Sequence, residues 1–80
     1  MSGTLERVRR VVSNLSGIAV TAINAESSFF DDLGFDDLQV IELQLDLEDE
    51  FGIEIGDEAA ENFKTVADVV KHVDGGRAAA

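Results

Sequence analysis

The sequence contains no cysteine, proline, tryptophan or tyrosine. Without cysteine it can form neither a disulfide nor a thiolate metal site, and it offers no thiol nucleophile. Phe29, Phe30, Phe35, Phe51 and Phe63 are its only large aromatic side chains. Long apolar runs are missing too. None approaches the roughly 18 residues of a membrane span, and the basic residues near the N-terminus are not followed by the apolar block of a secretory signal. A cytoplasmic location is therefore expected. The sharpest shortage is of positive charge. Six Lys and Arg stand against 17 Asp and Glu, for a formal net charge of −11. The basic residues are Arg7, Arg9, Arg10, Lys64, Lys71 and Arg77, and none lies between Arg10 and Lys64. That interval holds 14 of the 17 acids. Binding a phosphate backbone needs clustered Lys and Arg, so nucleic acid is excluded as a partner. A strongly negative middle attracts a basic partner surface, although a plain solvated surface has the same composition.

A length of 80 residues allows one domain. A chain of this size buries about 60–65% of its unfolded surface, enough for a small core but not for a deep catalytic cavity. An apolar content of 45% argues against disorder. Residues 4–16 place Leu5, Val8, Val11, Val12 and Leu15 at helical spacing, with Thr4 as N-cap and Gly17 as the stop. Residues 18–35 form a long connection whose apolar members, Ile18, Val20, Ile23, Phe29, Phe30 and Leu33, pin it to the core. A second helix starts at Asp36 or Asp37, with Asp36 and Gln39 spaced as a capping box, and ends at Gly52. Asp57 caps a short third helix through Asn62. Thr65 and Asp68 open a last helix carrying Val66, Val69, Val70 and Val73. The expected fold is all-α: a four-helix bundle of three longer helices and one short, with a long first loop, spanning residues 1–74. Residues 75–80 are expected to form a flexible tail.

The second helix carries two apolar stripes. At about 100° per residue, Val40, Leu43, Leu47 and Phe51 share an arc roughly 80° wide, the natural core face. Leu38, Ile41 and Leu45 fall in another arc, rotated by about 150°. It is flanked by Glu48 on one side and by Glu42 and Asp49 on the other. A helix in a small bundle needs one buried stripe. The second reads as a docking surface with an apolar centre and an acidic rim, or as a stripe packed beneath Phe29 or Phe30 in the long loop; the two are compatible where the loop covers only part of it.

Residues for catalysis are lacking. His72 is the only histidine and reads as a surface residue near a helix C-terminus. A calcium loop starting at Asp31 would put Leu33, Phe35 and Asp36 at its third, fifth and sixth positions, where two oxygen ligands and a glycine are required. No specific metal site is expected. There is no Gly-rich phosphate loop, and the chain does not read as an enzyme.

The segment Asp32-Leu33-Gly34-Phe35-Asp36-Asp37-Leu38 resembles the acyl carrier protein signature Asp-Leu-Gly-x-Asp-Ser-Leu. The likeness continues through Val40, Glu42 and Leu43 and through Leu47-Glu48-Asp49-Glu50-Phe51-Gly52-Ile53-Glu54-Ile55. It resumes at Thr65-Val66-Ala67-Asp68-Val69 and covers about residues 4–74. It is closest to discrete fatty-acid or polyketide carriers; peptidyl and aminoacyl carriers share the fold but are usually less acidic. The resemblance implies a monomer that holds acyl chains as thioesters on 4′-phosphopantetheine. It also implies docking on basic surfaces of acyl-processing enzymes and of phosphopantetheinyl transferase. Asp36, Glu42, Glu48 and Asp49 would be the docking acids, with Leu38, Ile41 and Leu45 as their apolar centre.

Two positions depart from the family pattern. Gly56 stands where proline often precedes the third helix. Asp37 stands where the family carries the prosthetic-group serine. A carboxylate cannot form the phosphodiester, so no 4′-phosphopantetheine is expected on this chain. Asp37 suits the first turn of a helix and leaves the fold intact. The sequence is thus either a carrier scaffold in which one replacement has removed the chemistry, or an arm-less interaction protein that works by docking through its acidic second helix.

Overall fold

The computed structural model describes residues 3–79. Four helices follow in order: α1 Gly3–Ser16, α2 Asp37–Phe51, α3 Asp57–Glu61 and α4 Val66–Ala79. There is no named strand among the described residues; the sole ladder contact is a single antiparallel bridge between Ser28 and Thr65. The all-α four-helix architecture expected from the sequence is the one observed.

The core is aliphatic with a phenylalanine centre. Val8, Val11 and Val12 of α1, Leu43 and Leu47 of α2, and Val66, Val69 and Val73 of α4 are buried together. Ile23, Phe29, Leu33 and Phe35 from the first loop join them, with Ile55, Ala60 and Phe63 from the other end. Val40 and Phe51 are only partly buried and pack against the edge. The 3.6-residue period thus sorts α2 as the sequence indicated, and helix stability comes from burying that one stripe.

The ends of α2 are set by local chemistry. Asp36 has extended backbone, and its Oδ1 accepts from the Gln39 amide at 2.9 Å, the forward bond of the expected box. Gly52 closes the helix in the left-handed region at φ 64°, with its amide donating to Glu48 O at 2.9 Å. At α4 the capping box forms in both directions. Thr65 Oγ1 accepts from the Asp68 amide at 3.3 Å, and Asp68 Oδ2 accepts from the Thr65 amide at 3.1 Å.

Other expectations are corrected. Thr4 is not a cap: α1 already includes Gly3, and the Thr4 hydroxyl donates to Asp74 Oδ1 at 2.7 Å, tying the start of α1 to α4. Asp57 is not the cap of α3 either. Gly56 holds that position without a side-chain bond, Asp57 is the first helical residue, and the helix stops at Glu61 with Asn62 as its C-cap. The connection 18–35 is not wholly irregular, because Val20–Ala22 form a 3₁₀ turn. Arg9 of α1 holds this turn, donating from Nε to Ile23 O at 2.7 Å and from Nη2 to Val20 O at 2.8 Å. The backbone of α4 continues as helix past Gly75 to Ala79. Residue 80 of the expected tail, and the side chains of 76–79, lie outside the described residues.

Candidate functional site: an acidic helix face and the cleft beside it

The loop that leads into α2 is built like a staple. The Phe29 amide donates to Lys64 O at 3.0 Å and the Phe35 amide donates to Phe29 O at 2.8 Å. Within the same loop, Asp32 Oδ2 accepts from the Ser28 amide at 2.7 Å, while the amides of Asp32 and Leu33 both donate to Ser28 O at 3.0 Å. Gly34 then turns the chain at φ 70°, a conformation that costs any residue with a Cβ. The result is a fixed entry to α2, with Asp36 capping and Asp37 exposed on the first turn.

The second stripe of α2 faces solvent. Leu38, Ile41 and Leu45 are 62%, 52% and 57% exposed, and the loop does not cover them. Phe29 turns fully into the core, whereas its neighbour Phe30 stays outside at 48% exposure. Single exposed apolar residues are ordinary, but four large ones on a protein this small form a patch. Asp36, Asp37, Glu42 and Asp49 lie exposed around them. Among the described residues, Glu50 is the only α2 carboxylate in an ion pair, with Arg7 at 2.8 Å. Asp37, Glu42, Asp46 and Asp49 therefore keep their charge directed at solvent.

Glu48 differs from its neighbours. It is half-buried, and its Oε2 accepts from the Ile55 amide at 2.7 Å. Part of its role is internal, in holding the α2–α3 connection. His72 also sits less freely than expected. Its ring meets Phe63 edge-on with centroids 5.6 Å apart, and it is half-buried.

The sequence reading missed a cleft of ≈ 530 Å³ between α2 and α3. It is lined by Phe30, Asp37, Val40, Ile41, Asp57, Ala60 and Glu61. Its apolar part comes from two helices and the loop, and its polar part is carboxylate. No spacing rule could mark it, because α3 reaches α2 only in the folded chain. No three His, Asp or Glu side chains converge as a metal-ligand set among the described residues.

Hydroxyl chemistry near the helix start is already committed. Ser27 is buried, where its Oγ accepts from the Asn24 amide at 3.0 Å and donates to Asn24 Oδ1 at 3.3 Å. Ser28 Oγ accepts from the Asp31 amide at 3.2 Å. The first turn of α2 itself presents carboxylates, not a hydroxyl.

Comparison with known proteins places this geometry. The family model for the phosphopantetheine attachment site matches residues 6–73. A solved structure from Mycobacterium tuberculosis, assigned as an acyl carrier protein, superposes with a TM-score of 0.84 at 36% sequence identity. The alignment covers 90% of this chain and 96% of that one. No helix among the described residues is long and apolar enough to cross a membrane. By both sequence model and fold, the chain belongs to the phosphopantetheine attachment-site family, among its acyl carrier proteins.

Proposed function

We propose that the chain is an acyl carrier scaffold for fatty-acid or polyketide-type synthesis, with Asp37 at the attachment position and no prosthetic arm. One observation carries this reading. The entry to α2 keeps its cap at Asp36 and its left-handed Gly34, while an exposed carboxylate occupies the position where the family motif has serine. 4′-Phosphopantetheine is joined to such a serine through a phosphodiester. The Asp37 carboxylate has no hydroxyl to form one, and the Ser27 and Ser28 hydroxyls are bonded within the loop. The residues present therefore do not fit the group covalently. Asp37 is favourable where it stands, since a negative charge in the first helical turn contributes roughly 0.3–1 kcal/mol against the helix dipole.

Docking is assigned to Leu38, Ile41 and Leu45 with Asp36, Glu42, Glu48 and Asp49 around them. The partners are basic surfaces of acyl-processing enzymes and of phosphopantetheinyl transferase. Exposure of the apolar centre, and the lack of an ion pair on the rim acids among the described residues, support that assignment. The test is an intact mass before and after incubation with coenzyme A and a broad-specificity phosphopantetheinyl transferase. This chain and its Asp37→Ser variant are run side by side. Mass gain by the variant alone is the expected result. Gain by neither overturns the carrier scaffold, and gain by the unaltered chain overturns Asp37 as the attachment position.

A further inference from the structure

The short helix α3 is held in place by a grip on one residue's backbone. Gln44 and Glu48 stand one turn apart on α2. Gln44 Nε2 donates to Ile55 O at 2.7 Å, and the Ile55 amide donates to Glu48 Oε2 at 2.7 Å. Both main-chain groups of Ile55 are thus satisfied by side chains of α2. The same Gln44 nitrogen donates to Asp57 Oδ1 at 3.2 Å. Its two partners are a carbonyl and a carboxylate, which accept and cannot donate, so the amide has only one orientation that serves both.

This grip matters because α3 has little else. Five residues make less than two turns, far too short to be stable alone. Its N-cap, Gly56, contributes no side-chain bond. One of its residues, Ala60, is buried in the core. Ile55, just before the helix, is buried as well and seats the connection. Asp57, the residue that Gln44 also holds, is the first residue of α3 and part of the cleft wall. Opposite it, α2 supplies Asp37, Val40 and Ile41. Gln44 itself lies one turn beyond Val40, outside the cleft lining, and its bonds tie α2 to Ile55 and to Asp57 on the α3 wall.

We propose that Gln44 is a positioning residue that sets the gap between α2 and α3, and with it the size of apolar group the cleft admits. Asp37, Asp57 and Glu61 at the cleft repel anions, while Phe30, Val40, Ile41 and Ala60 offer apolar contact. The group admitted is accordingly uncharged and apolar. The inference deepens the carrier reading, but it is tested without any arm, so the two can fail separately. Loss of transferase recognition by Asp37→Ser would remove the carrier reading and leave this result standing.

Gln44→Leu keeps most of the side-chain volume and removes the donor. Amide hydrogen exchange and binding of the uncharged probe N-phenyl-1-naphthylamine are measured on the full chain. Exchange at Ile55 and Ala60 is expected to quicken roughly threefold to tenfold, the worth of a lost hydrogen bond of this kind. Val69 and Val73 in α4 should change by less than about twofold, since they lie outside the local opening. Probe binding should tighten by about threefold or more as the gap widens, on the same energetic scale. Gln44→Asn, shorter by one methylene, should behave alike and replaces the leucine variant if that one folds poorly. Unchanged or uniformly faster exchange overturns the local grip. Faster exchange around Ile55 with unaltered probe binding overturns the control of entry.

Discussion

The rings of Phe29 and Phe35 pack with centroids 5.4 Å apart at 40°, and the Phe35 amide donates to the Phe29 carbonyl. Side chain and main chain thus close the same short loop from both sides, and that loop delivers Asp36 and Asp37 to the start of α2. Replacing Phe29, which is fully buried, removes the ring from the core and from this closure. Phe29→Ala should cost about 3–5 kcal/mol. A chain of this length has a total stability of roughly 4–12 kcal/mol, so the variant should be largely unfolded or lose most of its urea midpoint.

Gly34 gives a gentler probe of the same loop. Nothing lies within 4 Å of a Cβ placed there, so only backbone conformation opposes a side chain. Gly34→Ala at φ 70° should cost about 1–2 kcal/mol, read as a lower denaturation midpoint with an unchanged slope. A change larger than that would mean the loop has rearranged.

Asp68 ties stability to pH. The Lys64 amide, then the Thr65 amide, donate to its carboxylate, and with the nearby Lys71 charge they hold its pKa below the usual range. A lowered folded-state pKa means the stabilisation is fully present above the unfolded value, near pH 4, and is lost as pH falls through the folded one. Asp68→Asn keeps an acceptor oxygen but loses the charge, and should cost roughly 0.3–1 kcal/mol at pH 7, the worth of a negative charge in the first turn of α4. The gap between the two proteins' melting temperatures should narrow below about pH 4. Comparing the pair cancels the general relief of charge repulsion that acid brings to a chain of net charge −11. A gap that stays constant into acid would remove Asp68 as the cause.

Leu45 offers a test of the proposed docking surface that leaves the fold alone. It is exposed, so Leu45→Ala should change stability by less than about 0.5 kcal/mol. Its affinity for a phosphopantetheinyl transferase should fall by roughly 1 kcal/mol or more, about fivefold. Calorimetry at low and moderate ionic strength checks both parts of the surface. Binding of either protein should weaken as salt screens the acidic rim; affinity independent of salt would exclude the rim from the interface.

Legibility from the sequence follows distance along the chain. Asp36 with Gln39, Thr65 with Asp68, and Gly52 are local devices, and each sits where spacing alone put it. The two stripes of α2 were equally plain, because periodicity fixes angle around a helix axis. Spacing could not say whether the second stripe was covered, since that depended on which of Phe29 and Phe30 turns inward. They are identical side chains at adjacent positions; only the completed core, with room for Phe29 beside Phe35, decides. Thr4 bonding to Asp74, Arg9 holding the 3₁₀ turn, and Gln44 reaching Ile55 are side-chain bonds across 70, 14 and 11 residues. No one-dimensional pattern marks them. Gln44 did carry one faint signal, a polar residue one turn before Glu48 at the margin of the core stripe. Family membership was legible from the motif, but the cleft was not, because one of its walls is a five-residue helix held in place by bonds between residues distant along the chain.

The bridge between Ser28 and Thr65 bears on how the protein is made. Ser27 O and Ala25 O accept from the amides of Val66 and Ala67, and Lys64 O accepts from Phe29. Nearly 40 residues separate the two sides. During translation, the motif loop has no partner for these groups except water until the start of the last helix has left the ribosome. The entry to α2 is therefore completed only late, and a nascent chain truncated before Thr65 should hold that loop by its internal bonds alone.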